Sequence, residues 1–251
     1  LFFLAFISIL LIAPLAKDMN FSQPHIAVIE INGLIASETQ SSAENIVPLL
    51  KQASKNDNTS VIIIKVNSGG GSATQSKIIY DEIIKLKEES TKEIISIIED
   101  VGASGGYYIA MAADEIFASQ TSIVGSIGVR LDSYDVRSFF DKIGIKSRTI
   151  YSGKNKLILD PFHELSSEQY SHLKKLTDQI HNQFIVDLKK SRANKLTPDT
   201  SVYSGLFYTG SEALSLGLVD GLSSLYDLKS NRYENLPIQK YNRDNDVIQQ
   251  I

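Results

Sequence analysis

Ile94-Ile95-Ser96-Ile97-Ile98-Glu99-Asp100-Val101-Gly102-Ala103-Ser104-Gly105-Gly106-Tyr107-Tyr108-Ile109-Ala110 passes from a β-branched apolar run, through small residues, into a helix-forming run. It reads as a strand over 93–99 and a helix from Ser104 to about Ala113. Ser104 therefore sits at a glycine-flanked strand-to-helix junction. Small neighbours let a substrate backbone approach its hydroxyl. The first turn of the helix offers unpaired N–H donors to a developing oxyanion. Gly102-Ala103-Ser104-Gly105-Gly106 fits the nucleophile-elbow pattern Gly-x-Ser-x-Gly. Taken alone it also fits a tight turn closed by a capping serine.

On either side of this stretch, apolar and amphipathic runs alternate. Residues 26–31 and 61–66 read as strands, and 42–54 as a helix carrying Pro48. A second helix places Ile78, Ile79, Ile83, Ile84 and Leu86 at helical spacing. Downstream, strands are expected over 115–118, 122–131 and 146–151, with helices over about 134–142 and 166–193. The long helix opens on the capping signal Ser166-Ser167-Glu168. A short helix in Tyr208–Leu214 is closed by Gly217. Strand–helix alternation predicts a layered α/β domain with mostly parallel strands. A second glycine loop, Asn67-Ser68-Gly69-Gly70-Gly71-Ser72, also follows a buried strand and opens a helix. It lacks the Lys-Ser/Thr ending of a phosphate-binding loop. Two such loops, each after a parallel strand, fall on one edge of the sheet.

The chain has 251 residues and a formal net charge of −4, so no global basic field draws nucleic acid. The absence of cysteine excludes disulfides, thiolate catalysis and cysteine zinc sites. His25, His163, His172 and His181 form no metal-type pair, so neither a metal nor another cofactor is expected. Residues 1–16 carry no charge and are expected to be a transmembrane anchor, slightly short of the roughly 20 apolar residues a span takes. Because the chain opens on Leu1 rather than Met, residues are expected to precede it. The rival reading is a secretory signal ending at Ala13-x-x-Ala16. Residues 17–24 read as a linker, 25–230 as the catalytic domain and 231–251 as a loose polar tail.

A serine hydroxyl needs a base to become a nucleophile. Ser152-Gly153-Lys154-Asn155-Lys156 supplies two lysines, and Leu157-Ile158-Leu159 follow directly. An apolar, dry setting favours the neutral amine that takes a proton. Spacing alone does not choose between Lys154 and Lys156. Ser126, in Gly125-Ser126-Ile127-Gly128, offers a hydroxyl to hold the amine; the same glycines also fit a strand at a close approach.

Together these motifs resemble the signal peptide peptidases of the SppA type, a serine peptidase family with the ClpP/crotonase fold. Asn67-Ser68-Gly69-Gly70-Gly71 resembles the family's Asn-Ser-Pro-Gly-Gly, and Ala103–Tyr108 its nucleophile motif. Gly125–Val129, Ser152-Gly153-x-x-Lys156 and Ala213-Leu214-x-x-Gly217-Leu218-Val219-Asp220 match in the same order, over about residues 26–228. The resemblance implies a ClpP/crotonase-like layered fold of repeated ββα units behind an N-terminal transmembrane helix. It implies a Ser104–Lys156 dyad, oxyanion donors at the Gly71 and Gly105 amides, and Ser126 orienting the lysine. It further implies a single-pass protein of the bacterial cytoplasmic membrane, with its catalytic domain outside, acting on released signal peptides and other apolar peptides. A homo-oligomer with active sites near subunit interfaces, where neighbouring subunits contribute serine and lysine, belongs to the same implication. The chain departs from the pattern at Gly69 (proline in the family), Leu157 (often acidic), Asp160 (serine) and Leu206 (commonly arginine).

Three other readings stand beside this one. A Ser-His-Asp hydrolase would have to use His163 or His181, because no histidine lies between Ser104 and Asn155. An acyl-CoA enzyme of the crotonase type is disfavoured by the serine motif and the apolar N-terminus. A membrane scaffold that kept the fold and lost activity is the non-enzyme alternative.

Overall fold

The structure is a computed structural model describing residues 23–242. The expected anchor at 1–16, most of the linker and the last residues of the tail lie outside the described residues. No helix among the described residues is long and apolar enough to cross a membrane.

Three long parallel strands form the centre: β1 (His25–Ile35), β2 (Thr59–Gly71) and β3 (Glu93–Ala103). Between them run α1 (Ala43–Lys55) and α2 (Ala73–Glu89), and after β3 comes the short α3 (Gly105–Ala110). Then follow β4 (Glu115–Ala118), β5 (Ile123–Gly125), α4 (Arg137–Lys142) and α5 (Ser167–Arg192). The chain returns through β6 (Phe207–Thr209), α6 (Gly210–Ser215), β7 (Gly221–Leu222), α7 (Leu225–Arg232) and β8 (Ile238–Lys240). The eight-stranded sheet has the order β6-β5-β3-β2-β1-β8, with β4 and β7 branching from β3. Among the described residues only the β5–β6 pairing is antiparallel.

Continuous β-branched runs give strands apolar on both faces, as a covered parallel sheet requires. On one face Ile29, Ile31, Ile62 and Ile64 pack with Ile46 and Leu50 of α1, Ile79 and Ile83 of α2, and Phe184 and Leu188 of α5. On the other, Ile26, Val28, Val61, Ile63, Ile95 and Ile97 pack with Leu228 of α7. Each such side chain, fully buried, stabilises by roughly 1.5–3 kcal/mol before chain entropy is counted.

The expected ββα unit takes the form of one bent strand followed by a helix. The register breaks between Asn32 and Leu34 in β1 and between Val66 and Ser68 in β2. In β3 the inner residues 95–98 pair with β4, whereas the outer residues 101–103 pair with β5. The outer halves of all three strands thus gather at one edge of the sheet.

Downstream of β5 the expected elements change. The strand expected over 122–131 is confined to Ile123–Gly125, the helix over 134–142 shortens to Arg137–Lys142, and 146–151 is not a strand. A strand needs a ladder partner, and this excursion finds none among the described residues. Its apolar side chains face outward: Leu131, Tyr134, Phe139, Ile143, Ile145, Ile150 and Tyr151 are exposed. The polar tail departs from its reading too. After α7 the chain turns, β8 joins the edge of β1, and Tyr241 is fully buried. Its hydroxyl meets His25, Asn56 and Thr59, contacts a local pattern cannot reveal.

Candidate active site at the outer sheet edge

Ser104 follows the last residue of β3 and caps α3 with φ 50° and ψ −120°. A non-glycine residue in this conformation is strained by about 1–3 kcal/mol. The backbone holds it there: the Ser104 amide donates to the Gly125 carbonyl at 2.8 Å, and the Tyr108 amide donates to the Ser104 carbonyl at 2.9 Å. Ser42, Ser72, Ser166 and Ser224 each spend their hydroxyl on capping a helix, but the Ser104 hydroxyl caps nothing. The capping-serine alternative therefore fails.

The glycine end of β2 packs directly on this junction. A Cβ on Gly70, whose φ is +100°, would lie 2.6 Å from the Gly105 amide nitrogen. A Cβ on Gly105 would stand 3.3 Å from the Gly71 nitrogen and collide with the Ser76 hydroxyl. Side chains at 70 or 105 would force the two turns apart. Gly71 is exposed and Gly105 buried.

Ser126 comes to the same edge. Ala103 pairs with Gly125, so Ser104 and Ser126 leave adjacent strands side by side. Ser126 also has positive φ, 51°, and its amide donates to the Leu206 carbonyl at 2.7 Å. Leu206 and Phe207 are exposed on this flank, as is Leu34 on the β1 flank.

Ser104, Gly105, Gly71 and Ser126 are thus gathered by register and packing, and the Lys156 side chain hydrogen-bonds none of them. It lies in the turn following Gly153, exposed, and its ammonium makes no hydrogen bond or ion pair with a described residue. Lys154 is paired with Glu168 at 2.9 Å. A groove of about 340 Å³ between this turn and α5 is lined by Asn155, Ile158, Glu168, Gln169, His172, Leu173 and Leu176, away from Ser104. The histidines that a Ser-His-Asp reading would need are engaged elsewhere. His163 pairs with Asp160 at 3.0 Å on the excursion, and His181 reaches the Ile127 carbonyl at 3.0 Å. The bond from His163, with the Phe162 amide, holds the Asp160 carboxyl below its usual range.

Two supports were not legible as such. Tyr108, from the helix behind the serine, donates to the buried Asp187 carboxylate, which Gln183 also reaches at 3.1 Å. Burial, then the bond to that anion, pushes the Tyr108 phenol well above its usual range. Asn67 ties the β2 loop to β3, its amide donating to Asp100 at 3.1 Å and its carbonyl accepting from the Val101 amide at 3.3 Å. The Asn67–Ser72 motif pointed to the loop, but its partners lie more than thirty residues away.

Fold and edge define a class: parallel α/β proteins that present a strained serine between two glycine turns. Peptidase family S49 matches residues 86–236, and the chain belongs to that family. It is 39% identical over 216 residues to the Na(+)/H(+) antiporter NhaA of Brucella melitensis, covering 84% of this chain and 29% of that protein. It is 28% identical over 207 residues to a putative signal peptide peptidase SppA of Enterococcus faecium, covering 79% of this chain and 60% of that one. The chain therefore spans under two thirds of the length of both relatives. Among solved structures, a serine-to-alanine mutant of the 1510-N membrane-bound stomatin-specific protease aligns with a TM-score of 0.54 at 18% identity, over 87% of this chain and 97% of that one. At that identity the likeness speaks for the fold alone.

Proposed function

We propose that the chain is a serine endopeptidase working by a Ser104–Lys156 dyad on apolar peptides, signal peptide remnants among them. The Ser104 hydroxyl attacks the scissile carbonyl carbon while its proton passes to the neutral Lys156 amine. The oxyanion is held by the Gly71 and Gly105 amides. Collapse breaks the C–N bond, and the ammonium returns the proton to the leaving amine. Water then repeats the cycle on the acyl-enzyme. Ser126 orients the amine. The observation that carries this reading is the uncapped, strained Ser104 packed on the Gly70–Gly71 turn.

Lys156 reaches Ser104 in this reading from a neighbouring copy. The excursion that bears it exposes Leu131, Tyr134, Phe139, Ile143, Ile145, Ile150 and Tyr151 and has no ladder partner among the described residues, which favours burial against a second chain. Docking would also dry the site and favour the neutral amine. Exposed Leu34, Leu206 and Phe207 suit an apolar peptide lying across the serine. The ClpP/crotonase type of layering and an anchor at residues 1–16 of the cytoplasmic membrane, with the domain outside, belong to the same reading. Transport named for the Brucella protein is not carried over, because this chain matches 29% of it and belongs to a peptidase family.

The test is labelling with a serine-directed fluorophosphonate, followed by peptide mass mapping. One adduct on Ser104, lost in Ser104→Ala, is expected. A folded protein without an adduct would favour the inactive scaffold, and an adduct elsewhere would remove Ser104 from the mechanism.

A further inference from the structure

We infer that Ser68 is a positioning residue of the oxyanion site, its hydroxyl helping to hold the Gly69-Gly70-Gly71 end of β2 so that the Gly71 amide faces the reacting carbonyl. This rests on the Ser104 reading above and adds a residue with no assigned part in it.

Three successive glycines form the most permissive backbone a chain can carry. Gly69 is exposed, and a Cβ there would meet nothing within 4 Å, so no packing restrains it. The segment ends β2: Gly70 and Gly71 pair with Leu34 and Ile35 of β1, Asn67 binds Asp100 and the Val101 amide, and the Ser72 amide donates to the Ile35 carbonyl at 2.7 Å. Between Asn67 and Ser72 the hydroxyl of Ser68 makes two bonds. It donates to the Gly33 carbonyl at 2.6 Å and accepts from the Gly70 amide at 3.0 Å. Ser68 is 1% exposed, so water does not compete for either bond. With the Gly70 N–H directed inward to Ser68, the next amide, that of Gly71, is left for the substrate. The Ser68 carbonyl is also so close to Gly106 that a Cβ there would collide with it, which ties the same residue to the nucleophile helix.

The full chain is compared with Ser68→Ala on a fluorogenic apolar peptide, with Ser104→Ala as control. Affinities are measured for a peptide aldehyde, whose Ser104 adduct puts an oxyanion in the site, and for the matching peptide with a methyl group in place of the aldehyde, which puts no oxygen there. A donor displaced by about 1 Å costs on the order of 100-fold. Ser68→Ala is therefore expected to lower kcat by roughly 10- to 100-fold with KM within about twofold, and to weaken the aldehyde by the same factor as kcat. The methyl-terminated peptide should bind unchanged. Should the alanine variant not fold, Ser68→Cys keeps the shape while weakening both bonds, and the same split is expected. Unchanged kcat, or equal weakening of the aldehyde and the methyl-terminated peptide, would overturn the assignment while leaving the Ser104 reading intact if Ser104→Ala is dead. An active Ser104→Ala would overturn both.

Discussion

Ser104 holds a backbone conformation that costs free energy, and two main-chain hydrogen bonds, to Gly125 and from Tyr108, keep it there. The strain has a consequence separable from chemistry. Ser104→Ala and Ser104→Gly both remove the hydroxyl, but only glycine accepts φ 50° without cost. Both variants should be inactive. Ser104→Gly should be more stable than Ser104→Ala by roughly 1 kcal/mol in urea unfolding. Equal stabilities would mean that the conformation is not strained. The serine, its glycines and its helix were legible because a strand-to-helix junction is a local event. Its strain was not, because φ is set by the pairing of Ala103 with Gly125, residues brought together by the sheet.

At the scale of elements, β1 to β3 and their helices were legible because each is a long run of one periodicity. The helix expected over 134–142 survives as Arg137–Lys142, but the strand expected over 146–151 and the outer part of that over 122–131 do not. Their apolar residues suggest strands, but a strand is a relation between two segments, and the second segment is absent among the described residues. The opposite error occurred at the C-terminal end. Ile238–Lys240 is too short and polar to announce a strand, yet it adds to β1, and the Tyr241 amide donates to the Val28 carbonyl at 2.9 Å. The tyrosine ring stacks near His25 with centroids 6.0 Å apart. This makes Tyr241 part of the core. Tyr241→Ala should destabilise by about 3–5 kcal/mol, the cost of removing a buried aromatic ring. A change below about 0.5 kcal/mol, typical of a surface site, would return these residues to the status of a tail.

For the whole molecule, acid stability and assembly are the readable properties. Asp220 accepts from Arg192 at 2.6 Å, Lys195 at 2.7 Å and the Ile116 amide at 2.9 Å, joining α5 to β4. Burial alone would push its carboxyl up, but Arg192 and Lys195 outweigh this and hold it below the usual aspartate range. A carboxyl lowered by folding stabilises fully above its unfolded value, about 3.9, and loses that contribution as pH falls through its folded value. Asp220→Asn leaves the guanidinium of Arg192, which is 1% exposed, with the Gly217 carbonyl but without its anionic partner, and should cost up to about 3–5 kcal/mol at neutral pH. The gap between wild type and variant, read by urea unfolding, should narrow below that range; a gap independent of pH would show that Asp220 does not titrate with folding.

The central claim is that Ser104 of one copy works with Lys156 of another. Its most direct measurement is complementation between two dead variants, Ser104→Ala and Lys156→Ala, co-assembled in equal amounts, with Lys154→Ala as an active control. In a mixed assembly some sites pair the intact serine of one variant with the intact lysine of the other. Peptidase activity should then return to about a quarter of the wild-type rate, the share of such pairings under random mixing. Assemblies shown to be mixed that stay as inactive as either parent would contradict the account.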